Sequence, residues 1–419
     1  MKERLFTPNF TLLVLGQISS LFGNFILKFA LSMYVLEVTG SAMVFASILA
    51  FSTVPTILLS PLGGILADRV NRRNIMVALD TLSGISVLLV ALFINESNSI
   101  PVIGTLLVVI SVWGAFESPT VQACVPQMQT GDNIIKGNAV VNQVAAVASL
   151  IAPILGSVLY TAFGIKPVMY ITILSFFLTA GFECFIKLDY EKIKTHEHIT
   201  AIIKNDFLAS MRFICIEEPN ILKMLLLATL MSFFVIGAAL VGLPYIVRNI
   251  LLMNAEMYGL AESLIGFSAI LGGIVAGLLT VKLKMNKLSF VIVIIGLCFV
   301  LSGAIFLFPV GKVIKYVVNL IGFCGFQAAI CVFSIFTLSY IQKKTPNNLI
   351  GKVMSYVATI SMCSQPLSQM VYGILFDKMN NGVYLILIPT GIMILMIGLL
   401  SIHFFEELSS QEHQEMKIE

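Results

Sequence analysis

Long apolar runs separated by short polar breaks set the rhythm of the chain. They predict spans over residues 10–37, 42–67, 75–95, 100–122, 138–163, 167–187, 222–247, 257–281, 289–309, 312–340, 352–376 and 383–405. A helix that crosses a bilayer needs ~20 mostly apolar residues, and each run supplies about that many. In lipid every backbone polar group must be satisfied within the protein, which helices do for themselves. The pattern therefore predicts an all-α integral membrane protein of twelve transmembrane helices. The run 312–340 exceeds one crossing and predicts tilt or extension beyond the bilayer.

One long polar stretch breaks the rhythm, from Asp189 to Asn220, after the sixth run. It divides the chain into a six-helix bundle over 1–188, a cytoplasmic linker over 189–220, a second bundle over 221–408 and a cytoplasmic tail over 409–419. In the linker, Phe207, Leu208, Met211 and Ile214 suit an amphipathic helix lying at the interface. The halves repeat faintly. Gly64 and Gly277, Arg69 and Lys282, and Pro153 and Pro366 each stand 213 residues apart. Six runs plus six with internal repetition predict two pseudo-symmetric bundles.

Composition sharpens this picture. Hydrophobic types make up 58% and charged types 11% of the 419 residues, against roughly 45–50% and about 25% in soluble domains. So few charges cannot cover a water-exposed surface. A net charge of +3 offers nothing to a nucleic acid. The seven cysteines show no C-x-x-C and lie mostly in apolar runs, which excludes a disulfide framework or zinc site. His196-Glu197-His198 reads as a solvated loop segment, so no metal is expected. No Walker loop is present, so ATP hydrolysis and cofactors are not expected either. Lys2 and Arg4 precede a first run without a small-residue cleavage site, which predicts a retained first helix. With the N-terminus in the cytoplasm, 19 Lys and Arg fall inside and 5 outside, with Lys28 in the membrane. The positive-inside bias then puts both termini in the cytoplasm.

The most specific local signal is Gly64-Ile65-Leu66-Ala67-Asp68-Arg69-Val70-Asn71-Arg72-Arg73, between the second and third runs. Gly64 lets another helix approach closely. Asp68 sits at the membrane edge, where it can face a helix N-terminus or a cation. Asn71 suits the left-handed backbone of a tight turn. Arg69, Arg72 and Arg73 anchor the turn inside. Topology alone explains the cations but not the aspartate.

This stretch resembles the signature of the major facilitator superfamily, G-x-x-x-D-R-x-G-R-R, with Asn71 in place of the second glycine. The resemblance extends along the chain. Gly16-Gln17 through Gly23-Asn24, Glu117-Ser118-Pro119 before Val125-Pro126, Gly242-Leu243-Pro244-Tyr245, and Ile341-Gln342 with Gly351-Lys352-Val353 look like the bacterial drug and macrolide efflux branch. It implies two six-helix bundles around a central cavity. It also implies that Gly64, Asp68, Arg69, Arg72 and Arg73 clasp the halves on the cytoplasmic side. Ala148, Ala152, Pro153 and Gly156 partly match the glycine-rich span-five stretch of exporters, although ordinary small-residue packing explains them too. Family antiporters often carry an arginine in span four, and Leu106 to Val121 contains none.

Ionisable residues within spans are costly and mark function or pairing. They are Lys28, Asp80, Glu117, Glu183 and Glu262. At 100° per residue, Gln17, Asn24 and Lys28 fall within about 40° of one another. They predict a polar stripe lining a substrate cavity, with snorkelling as the other reading of Lys28. Asp80, Glu117 and Glu262 are coupling candidates, Asp80 alternatively pairing with a loop cation. Glu183 is expected at the interface. The 19 Met and 30 Phe suit an adaptable apolar cavity and lipid-facing surfaces alike.

The expectation is a monomeric secondary transporter in the bacterial cytoplasmic membrane. It would export small amphipathic compounds by alternating access, driven by protons. A dedicated exporter of one metabolite, such as a siderophore or peptide, is the alternative. A membrane enzyme or a non-transporting scaffold remains from other classes.

Overall fold

A computed structural model describes residues 5–188, 211–279, 285–346, 349–379 and 382–418. Twelve long helices occupy the predicted runs. They are α1 Pro8–Thr39, α2 Ala42–Arg69, α3 Arg72–Phe93, α4 Ser99–Met128, α5 Asp132–Phe163, α6 Ile165–Cys184, α7 Pro219–Ile250, α8 Ala255–Leu279, α9 Met285–Leu307, α10 Lys312–Lys344, α11 Ile350–Met379 and α12 Tyr384–Leu400. A final helix, α13 Ile402–Ile418, carries the segment expected to be a tail. Eleven helices are long and apolar enough to cross a membrane among the described residues. The twelfth, α11, is 30 residues long and carries a run of hydroxyl and amide side chains, from Ser361 and Ser364 to Ser368 and Gln369. The amphipathic stretch of the linker lies outside the described residues up to Ser210. Phe213 and Ile214 beyond it are buried in a helical turn that leads into α7. His196-Glu197-His198 also lies outside them.

Sequence chemistry explains the breaks between helices. Thr7 caps α1 by accepting from Phe10 N–H, and Pro8 opens the helix where its missing N–H costs nothing. Gly40 ends α1 in the left-handed conformation that a side chain would resist. Ser41 caps α2. Helix α7 contains π-helical turns at Ala238–Gly242 and Ile246–Ile250, on either side of Pro244. A proline removes one backbone donor, and such turns absorb the mismatch.

The chain forms two compact units. The first comprises Met1–Thr195 with Met253–Ser263, the second His196–Leu252 with Leu264–Glu419. In the first, α1 packs on α5 and α6, α2 on α4, and α3 on α4 and α6. The second repeats three of these five pairings most closely: α7 on α11, and α9 on α10 and α12.

The repeat extends to single contacts. A Cβ on Gly63 in α2 would stand 2.5 Å from the Ala115 carbonyl oxygen of α4. A Cβ on Gly272 in α8 would stand 2.5 Å from the Ala328 carbonyl oxygen of α10. Ala115 and Ala328 are 213 residues apart, the spacing of the sequence repeat, while Gly63 and Gly272 are 209 apart, so the carbonyl keeps its place and the glycine shifts by about one helical turn. Without lipid-excluding hydrophobicity to drive helices together, close approach at glycine supplies the packing.

Candidate functional site

The α1–α6 contact is a ladder of hydroxyls on backbone carbonyls. Thr172 Oγ1 donates to Gly23 O at 3.3 Å, Ser19 Oγ to Ser175 O at 2.9 Å, and Thr179 Oγ1 to Gly16 O at 3.1 Å. Gly16 and Gly23 have no side chain to hold the helices apart. Residue 183 stands about 20° around the helix from residue 172, so it continues the same buried face. Glu183 is accordingly 0% exposed, beside Gly16 and facing Asp80. This corrects the expectation that Glu183 is interfacial. Its closeness to the end of α6 suggested water, but the face it occupies is covered by α1 and α3.

Asp80 on α3 is also 0% exposed. It is held not by a loop cation but by Ser20 of α1, whose Oγ lies 3.0 Å from Asp80 Oδ1 and 3.4 Å from Glu117 Oε1. Three carboxylates from α3, α4 and α6 thus gather around one serine of α1. Beside them is a cavity of about 210 Å³, lined by Gln17, Asn24, Glu117, Gln122 and Asn142 among smaller residues. Gln17 Nε2 and Asn24 Oδ1 are buried without a hydrogen-bond partner, so the wall offers one spare donor and one spare acceptor. Gln17 and Asn24 line this cavity together with Glu117. Lys28 does not line this cavity; it is exposed about one turn further along α1 and interacts electrostatically with Glu117.

An apolar layer closes one end of the cluster. Phe10, Leu13, Met76, Val121, Cys124 and Ile186 are buried together there. Asn9 ties α1 to the chain after α6, donating to Lys187 O at 2.7 Å and accepting from Lys187 N–H at 3.1 Å.

The loop motif stands beyond this layer. Arg72 Nε donates to Ala67 O and its Nη1 to Ala123 O, each at 2.9 Å, joining the ends of α2 and α4. Arg73 Nη2 donates to Cys184 O at the C-terminus of α6. Cations suit these carbonyl-rich helix ends. Asn71 is not left-handed as expected. Its φ is −59° and ψ 115°, and its side chain caps α3 by accepting from Arg73 N–H. An N-cap needs this extended backbone. The close approach expected at Gly64 is made one residue earlier. A Cβ on Gly64 would meet nothing within 4 Å, whereas Gly63 touches Ala115 O. Pro119 lacks the N–H that Ala115 O would otherwise accept from, so that carbonyl faces the glycine. Arg69 closes α2. The side chain of Asp68 lies outside the described ones.

In α5, Ala148 and Ala152 are fully buried. A Cβ on Gly156 would stand 3.2 Å from the Phe29 ring of α1, and one on Gly259 of α8 would stand 2.7 Å from Pro153 O. The small residues therefore let α1 and the start of α8 close on α5. Glu262 follows within the same unit, bonded to the buried Tyr258, which stacks on Phe29 at 5.1 Å. Glu262 stands on α8 and interacts with Tyr258 rather than with the Ser20 cluster, so the three coupling candidates fall into two groups. Sequence reasoning missed Ser20 and the role of Glu183. The i, i+3, i+7 spacing of Thr172, Ser175 and Thr179 was the signal that pointed to that face.

Comparisons with known proteins agree with this architecture. A family model described as Major Facilitator Superfamily matches residues 13–368. The chain is 22% identical over 401 residues to Macrolide efflux protein A of Streptococcus pyogenes, covering 92% of this chain and 93% of that protein. It is 24% identical over 406 residues to the MFS-type transporter YfiS of Bacillus subtilis, covering 94% and 92%. Among solved structures, the nucleoside transporter NupG superposes with a TM-score of 0.73 at 12% identity, over 94% of this chain and 99% of that one. A bacterial homologue of the iron transporter ferroportin, in its inward-facing state, gives 0.71 at 14% identity, over 94% and 98%.

Proposed function

Since the chain belongs to the Major Facilitator Superfamily, and is a multi-pass membrane transporter, we propose that it exports small amphipathic compounds by proton-driven alternating access. The observation that carries this reading is the polar cavity bearing Glu117 within otherwise apolar helices. An ionisable wall in a membrane span is costly and marks a path for substrate or ion. Similarity to a macrolide efflux protein over 92% of the chain supports export. So do the small residues Ala148, Ala152, Pro153 and Gly156 in α5.

Alternating access comes from movement of the bundles 1–188 and 221–408 in the bacterial cytoplasmic membrane, with both termini in the cytoplasm and the protein acting as a monomer. Gln17 and Asn24 meet the substrate, and Lys28 sets the charge near Glu117. Asp80, Glu117 and Glu262 are the groups that exchange protons. Gly64, Asp68, Arg69, Asn71, Arg72 and Arg73 bias the equilibrium between the two access states. A dedicated exporter of one metabolite is the second reading, favoured by the high share of amides in the cavity wall; substrate breadth separates the two. Expression in a macrolide-sensitive bacterium should lower the accumulation of several unrelated dyes, and Glu117→Gln should restore it. Unchanged accumulation of every dye would refute the proposal.

A further inference from the structure

Ser20 stands between two carboxylates, and a hydroxyl has one proton to give. Its Oγ reaches Asp80 Oδ1 at 3.0 Å and Glu117 Oε1 at 3.4 Å. It can donate to one of them and accept from the other. Whichever carboxylate does not receive the serine hydrogen must bring a proton of its own to keep the bond.

The two carboxylates differ in access. Glu117 is half-buried and lines the cavity, so water reaches it. Asp80 and Glu183 are 0% exposed. Asp80 and Glu183 face each other, and Asp80 Oδ2, both Glu183 oxygens and Gln17 Nε2 on the cavity wall meet no other partner. Burying an ionised carboxylate without a partner is expensive, so charge must be neutralised inside this cluster. The charged and titratable groups facing it are few. Lys28 of α1 acts on Glu117, and Cys124 of α4, with Arg72 of α3 beside it, faces Glu183. Arg72 is turned to the carbonyls of Ala67 and Ala123. Among the described residues no three acidic, histidine or cysteine side chains converge closely enough for a metal ion.

We propose that Ser20 passes one proton between Glu117 at the cavity wall and the Asp80–Glu183 pair behind it. The proposal rests on the proton-driven reading above and deepens it. The Glu117 O–H bond breaks as its proton moves to Ser20 Oγ. The Ser20 O–H bond breaks as its proton moves to Asp80 Oδ1. Two O–H bonds are lost and two are made. Glu117 is left as a carboxylate that can take a cationic group of the substrate, while Asp80 becomes neutral. Return of the proton to Glu117 releases that group.

The protein carries its own reporter. Trp113, the only tryptophan, lies one turn before Glu117 on α4, with its indole N–H 3.4 Å from Ser86 Oγ of α3. Purified full-length protein in detergent would be subjected to a rapid pH jump while Trp113 fluorescence is followed. Wild type should relax in two phases, the faster from Glu117 and the slower from the inner pair. Ser20→Ala should slow the second phase on the order of a hundredfold, the scale of a lost proton-transfer group. Ser20→Thr, which keeps the hydroxyl, should restore it, and Glu183→Gln should reduce its amplitude. If Ser20→Ala fails to fold, wild type in heavy water gives the check, because a step that breaks two O–H bonds should slow there. A single phase, an unaltered second phase in Ser20→Ala, or no slowing in heavy water would overturn the proposal. So would a phase that follows sodium concentration at fixed pH. The measurement uses no substrate, so it can fail while export holds, and export can fail while it succeeds.

Discussion

At residue scale, adjacent glycines in α2 do different things. Position 63 has a carbonyl oxygen 2.5 Å from where a Cβ would stand, and position 64 has open space. Gly63→Ala should therefore destabilise the protein by about 1–3 kcal/mol, the usual cost of overpacking. Gly64→Ala should leave stability nearly unchanged. Thermal unfolding in detergent compares them, and equal midpoints would contradict the α2–α4 contact. If Gly64→Ala still lowers transport, the loop motif acts on the access equilibrium rather than on the packing. Sequence alone marked Gly64, through the family signature. It could not see that Pro119, fifty-odd residues away in the chain, bares the carbonyl that Gly63 must accommodate. Glu183 illustrates the same limit. Its place near a helix end was legible, but the helix that covers it was not.

At the scale of single elements, α1 presents two faces. Gln17 and Asn24 line the cavity, while Val14 and Ile26 are packed inside the unit. In a background without the seven native cysteines, Gln17→Cys and Asn24→Cys should react readily with a small aqueous thiol reagent, and substrate should protect them. Val14→Cys and Ile26→Cys should react more slowly, because neither position lines the cavity. Similar rates at all four positions would remove the stripe from the site. Lys28→Ala should change which substrates are moved, because the cation near Glu117 repels cationic groups and attracts anionic ones. An unaltered substrate profile would return Lys28 to a snorkelling role. The stripe was legible because helical period alone aligns these residues. The acidic cluster was not, because its members sit on three helices and only tertiary packing brings them to Ser20 on a fourth.

For the whole molecule, the repeat written in the sequence reappears as three helix pairings common to both units and as the carbonyls of Ala115 and Ala328, 213 residues apart, each facing a glycine. The helix count and order were legible because bilayer thickness fixes run length. The unit boundary was less so, since Met253–Ser263, which includes the start of α8, groups with the first unit, where Gly259 closes on α5. Topology has a direct check. Asn98→Cys should label with an impermeant reagent in intact cells, and Thr195→Cys only after permeabilisation; the reverse would overturn the positive-inside assignment. The central claim is tested by purified protein in proteoliposomes under an imposed pH gradient, with a panel of dyes and macrolides. Several unrelated amphipathic compounds should move against their gradients, stop when a protonophore collapses the pH difference, and fail to move with Glu117→Gln. Movement that persists undiminished without the pH gradient, or no movement of any compound with it, would contradict the account.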